Sequence, residues 1–130
     1  MEWDDWTKRL KTALGANATV RLRTLFADNG VFTDPVTAST KDIKSVEDVT
    51  DASFPDWTQE VTASYGSSAG GAFEWIGRGT IAGTIPIELH GCTMVELDTD
   101  GQVTRWRDYF DLKEIEKQMG ASIEDFQQKA

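Results

Sequence analysis

Apolar residues recur along this chain at a helical period near both ends and at a strand period between them. Trp3, Trp6, Leu10 and Leu14 stand on a polar background at helical spacing, which predicts an amphipathic first helix closed by Gly15. Asn17 is placed to cap a second helix through Phe26, with Val20, Leu22, Leu25 and Phe26 as its apolar side. A turn at Asp28-Asn29-Gly30 would end it. Val31-Phe32-Thr33-Asp34 then reads as a short strand stopped by Pro35. A third helix is expected over Lys41 to Thr50, with Ile43, Val46 and Val49 facing inward and Ser39 or Thr40 near the cap.

After Phe54-Pro55-Asp56 the period changes to two. Strands are predicted over Thr58 to Ser67, Gly71 to Ala82, Pro86 to Leu97 and Gln102 to Phe110, with turns at residues 67–71, near Gly83-Thr84 and at residues 98–101. Long successive strands joined by short turns imply an antiparallel meander. Asp111 and Glu114 form a capping pair for a last helix, Leu112 to Met119, which Gly120 ends. Ser122 to Lys129 is either a further turn of helix or a frayed tail. Helices first and a curved antiparallel sheet after them make an α+β domain, since the sheet needs one face covered. Such a sheet, closed by helices, encloses a cone-shaped cavity suited to a small ligand. With 130 residues and neither repeat nor linker, a single domain over residues 1–130 is expected.

Composition narrows the partners. A net charge of -9, from 22 acids against 13 bases that do not cluster, repels nucleic acid and anionic membranes. No apolar run approaches the roughly 20 residues of a membrane span, and the start, Met1-Glu2-Trp3-Asp4-Asp5, is acidic where a secretory signal is basic. A cytoplasmic location is the expectation. Cys92 is alone, so no intramolecular disulfide forms, and His90 is the single histidine with no metal-ligand spacing around it. Neither metal nor other cofactor is expected. Gly77-Arg78-Gly79 lies inside a strand pattern and opens no helix, which argues against a phosphate loop and for sheet curvature.

The candidate chemistry lies in Trp106-Arg107-Asp108-Tyr109-Phe110-Asp111. In an extended strand Trp106 and Asp108 project from one face and Arg105 and Arg107 from the other. A carboxylate on an apolar face has its pKa raised by desolvation, as proton transfer near neutral pH requires. An exposed aspartate at a strand end is the alternative that the spacing leaves open. Phe32, Phe73, Trp75, Cys92, Met94 and Trp106 also fall on strands, with Phe73 and Trp75 sharing a face. As a set they suggest walls for a terpenoid, steroid-like or polyketide ligand. Glu74 and Arg78 face the other way, and Tyr109 is assigned to core packing.

The order of elements, Leu25-Phe26-Ala27-Asp28 followed by Phe32-Thr33-Asp34-Pro35-Val36, and the Asp-Gly turn leading into Trp106 to Asp111 resemble the nuclear transport factor 2-like superfamily. The likeness extends to its SnoaL-like polyketide cyclases, limonene epoxide hydrolases and ketosteroid isomerases. It implies a cystatin-like roll, with the curved antiparallel sheet packed against N-terminal helices and a C-terminal helix behind. Alignment to the epoxide hydrolases places Asp108 at the water-activating aspartate. Trp75 and Gly77 then stand where an Arg and a second Asp belong, and Phe32 and Asp34 where a Tyr and an Asn position the water. Alignment to the isomerases places Asp34 at the proton-abstracting aspartate, with Leu10 and Thr93 in place of the oxyanion hole. Alignment to the cyclases again selects Asp108, and puts the assisting histidine near Cys92 or Thr93, with His90 as the nearest substitute. The resemblance thus implies Asp108 and Asp34 as a proton-handling pair, and Asp34 beside Pro35 is equally suited to capping a turn. An acid-base enzyme, a non-catalytic small-molecule carrier and an assembly module all fit, and family habit implies a homodimer.

Overall fold

The computed structural model describes residues 1–15, 20–81 and 83–120. In chain order these form α1 (Trp3–Leu14), a 3-10 turn at Leu22–Leu25, β1 (Phe26–Thr33), α2 (Ile43–Ser53), β2 (Thr58–Ser67), β3 (Gly70–Ile81), β4 (Ile85–Leu97), β5 (Val103–Phe110) and α3 (Leu112–Met119). The four long strands and the last helix therefore fall within one residue of their expected bounds.

The five strands make one curved sheet in the order β1-β5-β4-β3-β2. β2 to β5 are an antiparallel meander, as expected. The wholly antiparallel sheet is corrected at its edge, where β1 pairs with β5 in parallel, Phe26 opposite Val103 and Phe32 opposite Trp106. The second helix is corrected with it. Asn17 lies outside the described residues, Leu22–Leu25 is a single 3-10 turn, and Phe26 already belongs to β1. Packing explains the change, because Phe26 and Phe32 flank the Trp106 ring at centroid distances of 5.7 and 6.5 Å. Two rings six residues apart reach one indole from a strand that carries a bulge. The irregularity falls between Phe26 and Val31, so Asp28-Asn29-Gly30 bends the strand rather than ending a helix.

α1 follows its stripe, burying Trp3, Trp6, Leu10 and Leu14, with Asp4 and Asp5 in the first turn and Lys11 in the last, where each complements the helix dipole. Trp3 stacks on Trp6 at 5.1 Å, and Trp6 meets Phe73 of β3 at 6.3 Å. α3 is capped by Asp111, whose side chain accepts from Lys113 N, and ends on Gly120 at φ +71°, a conformation glycine adopts without a Cβ penalty.

α2 begins later than expected. Asp42, not Ser39 or Thr40, is its cap, accepting from Ser45 N. Thr40 instead bridges the backbone of Phe32 in both directions. Ile43 and Val46 face the body, but Val49 is 62% exposed, which corrects its assignment to the core. Glu47 sets the rotation of the helix: its carboxylate accepts from Leu22 N, Arg23 N and the Arg23 guanidinium. Val49, two residues on and about 200° around the axis, must then turn away.

Candidate active-site pocket

Between the concave face of the sheet and α2 lies a cavity of about 810 Å³. Trp75, Leu89, Trp106, Asp108 and Phe110 line it from the sheet, and Trp57 and Ile115 line it from outside the sheet. Its rim is acidic. Among the described residues, Asp34, Asp42, Asp51 and Asp56 line it with Glu47, against one guanidinium, Arg21, which pairs with Glu47 at 3.2 Å and Asp51 at 2.9 Å.

Asp108 is placed by the β4–β5 register, which sets it directly opposite Thr93. Thr93 Oγ1 donates to Asp108 Oδ1 at 2.5 Å, and Trp106 Nε1 donates to the same oxygen at 2.8 Å. Trp75 Nε1 in turn donates to Thr93 Oγ1 at 2.8 Å. Burial is the largest influence on the carboxyl and outweighs both hydrogen bonds, while the nearby charge of Asp34 pushes the same way; together they raise its pKa to about 7. A group poised there gives and takes a proton at neutral pH.

Asp34 lines the same cavity from the end of β1. The parallel pairing brings it there: Thr33 stands opposite Arg107, so the next residue on each strand, Asp34 and Asp108, lie at one level. Asp34 Oδ1 also accepts from Val36 N and Thr37 N, so it caps the turn at Pro35 while facing the pocket. The turn-capping role weighed for it in the sequence is thus filled by a side chain that also lines the cavity.

Of the expected wall residues, Phe32, Trp75 and Trp106 line the cavity. Phe73 does not. It is 1% exposed in the core, edge-on to Trp106 at 5.5 Å. His90, Cys92 and Met94 are corrected outright, since they project from the outer face, His90 and Met94 exposed and Cys92 partly so. The phase of β4 decides it: Ile87, Leu89, Thr93 and Val95 are buried, so their alternating neighbours point away. Burial, then the charges of Glu74 and Asp108, raise the Cys92 thiol pKa. Tyr109, assigned to the core, is 50% exposed on that same face.

Thr93 and Trp57 were missed as site residues. Glu88, His90 and Glu96 carried the signal for Thr93, because polar residues at even positions mark the wet face and leave Thr93 on the dry one. Trp57 explains the departure at Gly77. Its ring lies where a Cβ on Gly77 would clash, and it also covers Gly79. These glycines make room for an indole, which occupies the space a second acid would need. Leu10 is fully buried in α1, and among the described residues no three His, Cys, Asp or Glu side chains gather as a metal site.

A roll of helices on a curved sheet, with a partly buried aspartate in its hollow, defines the ketosteroid isomerase-like class of fold, and solved structures of that fold superpose on most of the chain. One from Catenulispora acidiphila, described as having a ketosteroid isomerase-like fold and solved with trimethylamine, is 22% identical over 90% of this chain and 93% of that one, at a TM-score of 0.79. A SnoaL-like polyketide cyclase candidate from Jannaschia is 14% identical over 91% of each chain, at 0.74. An LEH-like epoxide hydrolase from M. tuberculosis is 17% identical over 88% of this chain and 86% of that one, at 0.70. No curated protein matches the chain in sequence. The SnoaL-like domain family matches residues 7–106, and the chain belongs to that family.

Proposed function

We propose that this protein is a cofactor-independent acid-base enzyme of the SnoaL type, an isomerase, cyclase or hydrolase, acting on an apolar terpenoid, steroid-like or polyketide molecule. One observation carries the reading: Asp108, with a pKa of about 7, opens on an aromatic-walled cavity that Asp34 also lines. In its ionised form Asp108 takes a proton from an activated carbon or from water. In its protonated form it returns that proton to a neighbouring atom of the bound molecule. Proton removal and return together leave the carboxyl unchanged, which suits double-bond migration, aldol-type closure or water addition. Asp34 helps keep Asp108 protonated by disfavouring a second negative charge in the hollow. The acidic rim, offset among the described residues by Arg21, favours neutral or cationic ligands over carboxylates.

Thermal-shift screening with terpene epoxides, enones and polyketide mimics tests the pocket, because a ligand that binds only the folded state raises Tm. For any compound turned over, the rate should bend near pH 7 and be lost in D108N. Full turnover by that variant rejects the proposal.

A second reading rests on the outer face of the sheet, where Tyr65, Met94 and Tyr109 are 77%, 42% and 50% exposed. Those side chains suit the expected homodimer, with the pocket left free on the opposite face. Sedimentation of the wild type against Y109K tests it, since a dimer formed there dissociates in the variant.

A further inference from the structure

The hydrogen bonds behind Asp108 run in one direction only. An indole N–H donates and cannot accept, so Trp75 Nε1 commits the Thr93 oxygen as its acceptor. The hydroxyl has one proton, and Asp108 Oδ1 takes it. Trp106 Nε1 donates to that same oxygen. Oδ1 is thus held by two donors, whereas Oδ2 takes no bond from the described residues and is not among the unpartnered atoms sealed from solvent. Thr93 is fully buried and absent from the cavity lining, so no ligand touches it.

We propose that Thr93 is a positioning residue: held by Trp75, it anchors Oδ1 of Asp108 and leaves Oδ2 as the oxygen that exchanges the proton with the ligand. This inference rests on the acid-base reading of Asp108 and adds which atom acts and what orients it. A free carboxyl flips and offers either oxygen. Here a flip would place Oδ2 against both donors and break nothing only if the proton were elsewhere, so the protonated form must carry its proton on the cavity side. The β-branched threonine, stiff about χ1 in a strand, holds the hydroxyl in place better than serine can. Both donors also favour the ionised form, offsetting part of the burial that opposes it.

Carboxyl-detected NMR titration of Asp108 in the full chain tests this. T93V keeps the shape and removes the donor, so Asp108 should bind its proton roughly tenfold more tightly, about one pKa unit, the scale of one charge-assisted hydrogen bond. T93S should return the titration close to wild type. W75F, which frees the hydroxyl to rotate, should shift it upward by less than T93V. With a substrate in hand, T93V should lower kcat and leave KM unchanged, because Thr93 touches no ligand. A folded T93V that titrates as wild type overturns the inference and leaves the acid-base reading intact. A wild-type Asp108 titrating near 3.9 overturns that reading instead, while the difference between T93V and wild type still decides the role of Thr93. Should T93V not fold, T93C supplies a weaker donor of similar size; an upward shift supports the anchor and an unchanged titration rejects it.

Discussion

The two faces of the sheet are built by the same strands, one residue out of phase, and their polar groups obey different physics. On the inner face Asp108 sits among indole rings, where loss of water dominates and lifts its pKa. On the outer face Arg78 pairs with Glu60 at 3.0 Å and Glu88 at 3.2 Å, all about half exposed, and Arg105 lies 3.8 Å from Glu96. Water screens those pairs. A charge on the inner face is costly and therefore chemically useful, whereas a charge on the outer face is cheap and does little beyond keeping the surface polar.

Removing the inner charge should have the largest effect. D108N is expected to lower turnover by roughly 10² to 10⁴, the range of a lost general acid-base group. It should also flatten the dependence of stability on pH. The folded pKa, about 7, lies above the ordinary 3.8, so between those values the native state holds a proton that the unfolded chain has released. Stability is therefore complete below about pH 4 and falls as pH rises to about 7, by at most about 4 kcal/mol. Urea titrations at pH 4.5 and 8 measure the fall in the wild type; an equal fall in D108N would place the cause in another group.

Next in size is the glycine beneath Trp57. G77A drives a methyl into that ring and should cost about 1 to 3 kcal/mol, as overpacking does. W57A/G77A should cost less than the sum of the two single changes, since the clash disappears with the ring. Strict additivity would separate Trp57 from Gly77 and reopen the site to a second acid.

The same contrast between faces explains what the sequence made legible. α1, the four long strands and α3 each follow one period between clear turn or cap signals, so local pattern sufficed. β1 did not, because Phe26 belongs to a strand only by virtue of Trp106, some eighty residues away, and parallel pairing leaves no turn signature. Asp108 and Trp106 were readable from their spacing of two, which any strand would place on one face. His90, Cys92 and Met94 were misassigned by a single step of phase, although Glu88 and Glu96 already marked that row as wet. Thr93 was noticed only at the aligned places of the oxyanion hole and the assisting histidine, and its hydroxyl gains meaning from a cross-strand register that no stretch of β4 contains.

A smaller effect is expected from Asp34, which acts on Asp108 through space. D34N keeps an oxygen for the turn at Val36 and Thr37 but removes the charge. The Asp108 pKa should then move down, by less than loss of the Thr93 donor moves it up, because Asp34 is the weakest of the influences on that carboxyl. The acid limb of any rate profile should follow it. An unmoved profile would mean that the two carboxylates do not share one field, and the pair would reduce to a catalytic acid and a turn cap.

The smallest effect belongs to the outer face. Arg78 has two carboxylate partners, and the Glu60 hydrogen bond leads the influences that raise its pKa, yet every member of the trio stands about half in water. Two flexible partners must be ordered to gain an attraction that solvent and salt already weaken. R78A should therefore leave stability almost unchanged, with any difference fading in high salt. A large loss, insensitive to salt, would require that face to be dry in solution. The contrast between the faces would then end there, and a partner surface over β2, β3 and β4 would have to supply the missing burial.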